Sequence, residues 1–344
     1  MYHFRNDYSE GAHPMVLEAL IRTNLEATAG YGEDNYCQEA ADKVRARFAC
    51  PQAAVHFLVG GTQTNFTAIS AFLRPWEAVV AADTGHIAVH ETGAVEARGH
   101  KVVTVPNREG KVTVQALRQV WQEHTSGNVG HMVMPKMLYL SDSTELGTIY
   151  TKAELTALRD CCRELGMYLY LDGARLASAL TAPGNDLTPE DLPRLCDAFT
   201  LGGTKCGLLF GECLVITNPA LMPNFRYCLK QCGGMLAKGR LLGVQFGALL
   251  EKDLWLEMGR HENEMAARLT RGFEEAGYRL YAQSPTNQVF VILPKKTIAR
   301  LERDFTFEFT APIDEDHDAV RFVTSWATRP EAVEALCAHM MSAE

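Results

Sequence analysis

The sequence predicts an α/β fold with a mainly parallel sheet, followed by a smaller α+β domain. Through the first 250 residues, short apolar segments alternate with amphipathic helical segments. Strands that are separated by helices favour a parallel sheet with helices on both faces. After this point a long charged helical segment leads to shorter strands and a final helix. We therefore expect an N-terminal arm at 1–15, a large domain at 16–250 and a small domain at 251–344.

Periodicity places the individual elements. Helical spacing of apolar residues predicts helices at 14–27, 38–48, Lys152–Glu164 and Leu254–Ala276, with a last helix from Pro330. Short apolar or β-branched runs predict strands at Val55–Val59, Ala78–Ala82, Lys101–Val105, His131–Pro135, Met137–Leu140, Met167–Leu171, Ala198–Leu201, Cys213–Thr217, Gln288–Leu293, Phe305–Phe309 and Arg321–Thr324.

Composition and charge exclude several classes of protein. The 344 residues are 47% hydrophobic and 22% charged, which is ordinary for a soluble globular protein. A net charge of −9 argues against nucleic acid as a partner. The start has no signal-peptide core and no apolar run could span a bilayer, so we expect a cytoplasmic protein without a membrane partner. The ten cysteines are expected to be reduced, and we expect no bound metal.

Two isolated charges indicate the chemistry. Lys205 is the only charged residue between Ala198 and Gly211. Apolar surroundings lower the pKa of a lysine and leave a nucleophilic amine that can form a Schiff base. Asp172 ends another apolar segment, one helical crossover earlier. Pyridoxal phosphate (PLP) requires such a pair, because the lysine holds its aldehyde and the acid keeps its ring nitrogen protonated. The sequence therefore predicts a PLP enzyme.

A glycine-rich turn is a candidate phosphate site. Gly60, Gly61 and Thr62 stand where a predicted strand passes into a helix. The free N–H groups and the dipole of a helix N-terminus bind anions, and glycine permits close approach. The same turn could be a plain connection with a capping threonine. In combination with Asp172 and Lys205, phosphate binding is the better interpretation.

Three further side chains are candidates for binding the ring or the substrate. His86 follows another strand and could stack on the ring or move protons. Arg321 is the sole charge of an apolar stretch and could bind a carboxylate with two hydrogen bonds. Arg175 follows Asp172 closely and could contact both ring and substrate. A structural role stays open for each of them. His86 could be a buried structural histidine, and Arg321 could be an arginine at a strand end. Arg175 could be the ion-pair partner of Asp172, if that aspartate caps a helix.

Taken in order, these residues resemble the threonine aldolases. The resemblance extends from Phe4 to Thr328, and its landmarks are Tyr31–Asp34, Phe57–Asn65, Asp172–Arg175, Gly202–Lys205, Lys230–Gly234 and Arg321. It implies the aspartate-aminotransferase-like PLP fold, with a seven-stranded, mainly parallel sheet in the large domain and a small α+β C-terminal domain. It also implies a homotetramer, a dimer of dimers whose active sites are shared between subunits.

The resemblance also implies a role for each matching residue. Lys205 would form the Schiff base, Asp172 would contact the pyridine nitrogen and His86 would stack on the ring. The full set of implied cofactor contacts is Gly60, Gly61, Thr62, His86, Asp172, Arg175, Thr204 and Lys205. The implied contacts to an amino acid substrate are Asn6, Arg175, Arg321 and Lys230, the last reaching a neighbouring subunit's site.

Two positions depart from the family pattern. Glu145 stands where many threonine aldolases carry a second active-site histidine, and it resembles the phenylserine-aldolase branch. The general base therefore stays open between His86 and Glu145. Asn6 replaces an early serine, and its amide could donate the same hydrogen bond to the substrate carboxylate.

The function expected from these features is reversible cleavage of L-threonine or L-allo-threonine to glycine and acetaldehyde, with activity on other β-hydroxy-α-amino acids. Three other reactions stay open on the same scaffold: β-elimination, phenylserine cleavage and transamination. A catalytically silent protein that keeps the fold for assembly is a further alternative. The joint presence of Lys205, Asp172 and Arg321 argues against it.

Overall fold

The computed structural model describes residues 1–127 and 130–341. Its strands are β1 Tyr2–His3, β2 Ala54–Leu58, β3 Glu77–Ala82, β4 Val102–Val105, β5 Met134–Ser141, β6 Tyr168–Asp172, β7 Ala198–Gly202, β8 Glu212–Ile216, β9 Leu280–Ala282, β10 Gln288–Pro294, β11 Phe305–Thr306, β12 Glu308–Pro312 and β13 His317–Val323.

Helices cover both faces of the large sheet. The helices are α1 Pro14–Thr23, α2 Asn35–Arg47, α3 Gly61–Phe72, α4 His86–Val89, α5 Ala94–Ala97, α6 Val114–Thr125, α7 Lys152–Glu164, α8 Leu176–Thr181, α9 Leu192–Leu195, α10 Phe225–Gln231, α11 Arg240–Leu249, α12 Leu254–Glu275, α13 Lys295–Leu301 and α14 Pro330–Met341. Among the residues described, no helix combines the length and apolar character that crossing a bilayer requires.

The large sheet confirms the predicted α/β class. Its seven strands follow the order β2-β8-β7-β6-β5-β3-β4, and β8 alone runs against the others. Every residue of β7 and β8 is buried, as expected for central strands that are covered on both faces. The carboxyl ends of β2, β3, β5, β6 and β7 meet at one edge, where β8 begins. Ligands of open α/β sheets bind at this edge.

The C-terminal part forms a separate antiparallel sheet in the order β12-β13-β10-β9. The long helix α12 and the last helix α14 pack against it around buried Phe273 and Phe322. The N-terminal strand β1 pairs with β11, and Phe4 enters the same core. The small α+β domain is thus present, and the arm packs on it. The exact domain limits at 15 and 250 stay a prediction.

Several predicted boundaries were wrong. The predicted strands His131–Pro135 and Met137–Leu140 are replaced by the single strand β5, which includes the intervening Lys136. The ladder with β3 shifts register at this point, and the Lys136 ammonium lies 4.9 Å from the Tyr168 ring centre. Conversely, Phe305–Phe309 is divided, because β11 pairs with β1 whereas β12 pairs with β13. The first helix ends at Thr23 rather than at residue 27, with Asn24 as its cap.

Close packing of α12 on α8 joins the C-terminal domain to the sheet that carries the site. Gly259 of α12 lies against α8 so tightly that a Cβ there would come within 2.4 Å of the Ala177 carbonyl oxygen. This oxygen belongs to the backbone of α8 and cannot move without the helix, so the two helices would have to separate. Glycine at this position therefore sets the distance between the two helices.

We expect Gly259→Ala to destabilise the protein by about 1–3 kcal/mol through overpacking. The matched control is Gly247→Ala in α11, where a Cβ would meet no atom within 4 Å. This change should be neutral or raise the stability by up to about 1 kcal/mol, since alanine favours helix. Unfolding followed by circular dichroism compares the two variants. A Gly259→Ala protein as stable as the control would show that the α12–α8 spacing is not a constraint.

Candidate active site

A cavity of about 310 Å³ opens at the carboxyl edge of the large sheet. This size falls within the range of small-molecule sites. All the predicted cofactor and catalytic residues line it together: Gly60, Gly61, Thr62, His86, Glu145, Asp172, Arg175, Thr204 and Lys205. Eight further lining residues were not among the predicted site residues: Tyr8, Val59, Asn65, Ser141, Ser143, Thr144, Ala174 and Glu212.

Lys205 follows β7, in a turn held by the hydrogen bond from the Gly203 N–H to the Gly211 carbonyl at 3.1 Å. In the described part of the chain its amine forms no hydrogen bond or ion pair. Burial, followed by the positive charge of Arg175, lowers the pKa of Lys205, against the opposing effect of neighbouring carboxylates. An amine with a lowered pKa and no partner is available as a nucleophile.

Asp172 ends β6 and is 6% exposed. Its Oδ2 accepts hydrogen bonds from the Asn65 amide at 2.8 Å and from the Tyr139 hydroxyl at 2.7 Å. Its Oδ1 accepts one from the Ala174 N–H at 2.9 Å. Burial, then the charge of Asp172, raises the pKa of Tyr139 well above its usual value, so the tyrosine stays a donor. The carboxylate is therefore fixed in orientation at the cavity wall.

A chain of hydrogen bonds links Asp172 to His86. The Asn65 amide donates to Glu91 Oε1 at 2.9 Å as well as to Asp172. The same Glu91 oxygen lies 2.8 Å from His86 Nδ1. The Tyr170 hydroxyl donates to the side-chain oxygen Oδ1 of Asn65 at 3.0 Å and thereby fixes the side-chain amide. The carboxylate and the imidazole are thus oriented through shared partners.

Glu145 follows β5 and faces His86. Its Oε1 accepts hydrogen bonds from the Ser141 hydroxyl at 2.6 Å and from the His86 main-chain N–H at 2.9 Å. Burial is the largest influence on this carboxyl, and it raises the pKa of Glu145. A carboxylate with a raised pKa is a better proton acceptor than an ordinary glutamate.

The glycine turn begins α3, a helix of 12 residues that has Gly60 as its N-cap. Gly61 and Thr62 line the cavity. A Cβ at Gly60 or Gly61 would meet no atom within 4 Å, so an anion can approach this backbone closely. Thr204 also lines the cavity, but its hydroxyl accepts a hydrogen bond from the Gly211 N–H at 3.0 Å. Its predicted phosphate contact would be additional to this bond.

Arg175 is held by a residue that the sequence analysis missed. Its Nε and Nη2 donate to the two carboxylate oxygens of Asp7, at 2.7 and 3.0 Å. The Asn287 amide donates to the same carboxylate at 2.9 Å. Burial favours the neutral acid, but the charges of Arg175 and then Lys205 prevail and hold the pKa of Asp7 below its usual value. Asp7 is therefore ionised and joins the N-terminal arm, the large sheet and the C-terminal domain.

Three predicted substrate residues lie outside the residues that line the cavity. Arg321 donates hydrogen bonds to Gln288, at 3.2 Å, and to Glu308. The Asn6 side-chain oxygen accepts from the Tyr8 N–H at 3.0 Å, within the N-terminal turn.

The third of these residues, Lys230, lies in a surface depression, with its ammonium 4.5 Å from the Tyr31 ring centre. Within a single chain, Lys230 does not line the cavity that holds Lys205.

Glu212 was missed although the sequence carried a signal for it. It begins β8 opposite Gly202 and is 5% exposed. Burial raises the pKa of Glu212 to about 8, while the positive charge of Lys205 works in the opposite direction. Glu212 is an isolated charge in an apolar stretch, so the rule that identified Lys205 also applies to it. Asn65, Glu91 and Asp7 carried no comparable signal.

Known proteins resemble this chain in sequence and in fold. Residues 3–296 match the model of the beta-eliminating lyase family. The chain is 30% identical to the low specificity L-threonine aldolase of a Pseudomonas species, over 97% of this chain and 96% of that protein. It is also 30% identical to the low specificity L-threonine aldolase of Pseudomonas aeruginosa, over 97% of this chain and 95% of that protein.

Solved structures agree with these matches. Leishmania major threonine aldolase superposes with a TM-score of 0.97 at 48% identity, covering 99% of this chain and 98% of that one. Thermus thermophilus aspartate aminotransferase has a TM-score of 0.71 at 17% identity, over 99% of this chain and 91% of that one. The second likeness shows the aspartate-aminotransferase-like fold alone. The chain belongs to the beta-eliminating lyase family and, within it, to the threonine aldolases.

Proposed function

We propose that this protein cleaves L-threonine and L-allo-threonine reversibly to glycine and acetaldehyde, with PLP bound at Lys205. The single observation that carries the proposal is the cavity, where the unpaired amine of Lys205 and the fixed carboxylate of Asp172 lie together. The similarity to threonine aldolases over 97% of the chain selects the reaction.

The donor set of the cavity fits PLP. The amine of Lys205 would bind the aldehyde of PLP, and the carboxylate of Asp172 would pair with the ring nitrogen. The N-terminus of α3 would bind the phosphate. The imidazole of His86, held through Nδ1 by Glu91, can lie against the ring. When bound, PLP supplies an aldehyde and a protonated ring that takes up the electron pair of a bond broken at Cα.

Two guanidinium groups would bind the substrate carboxylate. Arg321 offers hydrogen bonds from the C-terminal domain, and Arg175 offers them from the end of β6. A guanidinium has five N–H donors, so the two that Arg175 gives to Asp7 leave others for a ligand. Fixing the carboxylate would set the direction of the Cα–Cβ bond, which decides the bond that breaks. Asn6 could add an amide hydrogen bond.

Glu145 is the group we assign as the base that takes the β-hydroxyl proton. Its carboxylate lines the cavity, is held by Ser141 and His86, and has a raised pKa through burial. His86 already shares its Nδ1 with Glu91, which suits a ring-stacking role better. The hydrogen bonds around these two residues therefore support Glu145 rather than His86 as the base.

We also propose a cytoplasmic homotetramer, a dimer of dimers that shares its active sites. Two large apolar side chains are highly exposed: Ile21 in helix α1 is 76% exposed, and Leu25 just after the helix is 96% exposed. Large exposed apolar side chains in one region favour contact with another protein surface. Lys230 is exposed and remote from its own cavity, which fits a role in the site of a second subunit.

The direct test is aldehyde release from L-threonine, L-allo-threonine and L-phenylserine by the PLP-loaded protein. We expect acetaldehyde from the first two, and a loss of at least about a thousandfold in Lys205→Ala, because the amine that holds the cofactor is removed. Release of 2-oxobutanoate and ammonia from threonine instead would identify β-elimination. Unchanged aldehyde release in Lys205→Ala would contradict the proposal.

The assignment of the base predicts a change in the pH profile. Glu145 must be ionised to accept a proton, so wild-type kcat should fall as the pH drops through its raised pKa. Glu145→Gln should lower kcat by about 10²–10⁴ and lose this acidic limb. His86→Phe keeps an aromatic face and should retain the limb while weakening PLP binding. The reverse pattern, with the limb lost only in His86→Phe, would assign the base to His86.

A further inference from the structure

The guanidinium of Arg321 already holds a carboxylate of its own chain. Arg321 on β13 and Glu308 on β12 are directly opposite each other in the antiparallel ladder. Arg321 Nη2 donates to Glu308 Oε2, and Nη1 donates to the Gln288 side-chain oxygen at 3.2 Å. One carboxylate of the chain itself thus occupies the Nη2 donor of a guanidinium that an amino acid substrate would use.

The same guanidinium is fixed close to the cavity. Gln288 is fully buried, and its amide donates to the Thr144 carbonyl at 3.3 Å, next to Glu145. Burial, and then the positive charge of Arg175, lowers the pKa of Arg321. Arg321 is therefore held by Gln288, which is itself bonded to Thr144 of the large domain, independently of Glu308.

The two arginine–carboxylate pairs differ in how easily they can be opened. The Asp7 side chain is 1% exposed, makes two hydrogen bonds to Arg175 and accepts a third from Asn287. The Glu308 side chain is 41% exposed, and its one hydrogen bond among the described residues is to Nη2 of Arg321. Opening a buried, multiply bonded pair costs far more than opening an exposed one. A ligand carboxylate will therefore displace Glu308 and leave Asp7 in place.

We propose that Glu308 is a displaceable counter-ion that occupies Arg321 in the empty enzyme and competes with the substrate carboxylate. Binding exchanges one carboxylate for another on the same guanidinium, and the released Glu308 turns to solvent. Glu308 is thus a residue that sets substrate affinity without touching the reacting atoms. The inference rests on the proposed function in one respect, which is that the ligand is an amino acid with a free carboxylate.

Glu308→Gln removes the competitor and keeps the shape of the side chain. We expect the dissociation constant of glycine for the PLP-loaded enzyme, and KM for L-threonine, to fall about two- to fivefold, the size of an exposed ion pair. The change in kcat should stay within about twofold. Glu308→Asp keeps a carboxylate and should lie closer to the wild type. Glu302→Gln, at the exposed end of α13, makes the same change in net charge and should alter neither constant.

A second readout needs neither cofactor nor turnover. Phenylglyoxal modifies accessible guanidinium groups, so Arg321 of the cofactor-free protein should be labelled about two- to fivefold faster in Glu308→Gln than in the wild type or Glu302→Gln. Peptide mass mapping assigns the label to Arg321.

Two results would overturn the inference. A higher KM in Glu308→Gln would mean that Glu308 orients Arg321 for binding, and equal labelling of Arg321 in all variants would mean that Glu308 does not restrict it. Failure of the proposed function looks different. In that case no variant releases acetaldehyde, while the labelling rates still report on the Glu308–Arg321 pair.

Discussion

The site depends on the burial of the Asp172 carboxylate at the end of β6. A buried charge is tolerated only when its oxygens are hydrogen-bonded. Asn65 from α3, Tyr139 from β5 and the Ala174 N–H supply those bonds. The helix that would bind phosphate and the strand that leads to Glu145 are therefore positioned by the carboxylate that would face the ring nitrogen.

A second constraint is the balance of charge around Lys205. Arg175 and Asp7 form an ion pair in which each charge compensates the other. The carboxylate of Asp172 accepts hydrogen bonds from the neutral side chains of Asn65 and Tyr139. Glu212 is a further buried carboxyl that acts on Lys205, and its raised pKa shows how little solvent stabilises its charge. The lysine amine is left without a partner among the described residues, which suits a group that must bind a carbonyl compound.

The pattern of isolated charges at strand ends predicted the parts of the site that are local in sequence. Lys205 and Asp172 were identified as isolated charges in or at the end of apolar segments, and the glycine turn because it stands where a strand passes into a helix. Parallel topology then brings these ends to one edge, as the structure confirms. Glu212 follows the same rule and could have been predicted.

Contacts between distant segments could not be predicted in this way. Asp7 and Arg175 meet only because the N-terminal strand joins the C-terminal domain, and Glu91 reaches Asn65 only because α4 ends beside α3. No local pattern distinguishes Asp7 or Glu91 from a surface carboxylate. The continuous strand β5 was divided in prediction for a related reason, since Lys136 looks like a strand end until its partner strands are known.

The central claim is that the amine of Lys205 is the group in this cavity that binds the cofactor's carbonyl. It is tested most directly by loading the protein with PLP, reducing it with borohydride and mapping the peptides by mass spectrometry. The account predicts one stable adduct, on the peptide that contains Lys205, and none in Lys205→Ala. An adduct on another lysine, or full adduct formation in Lys205→Ala, would contradict it.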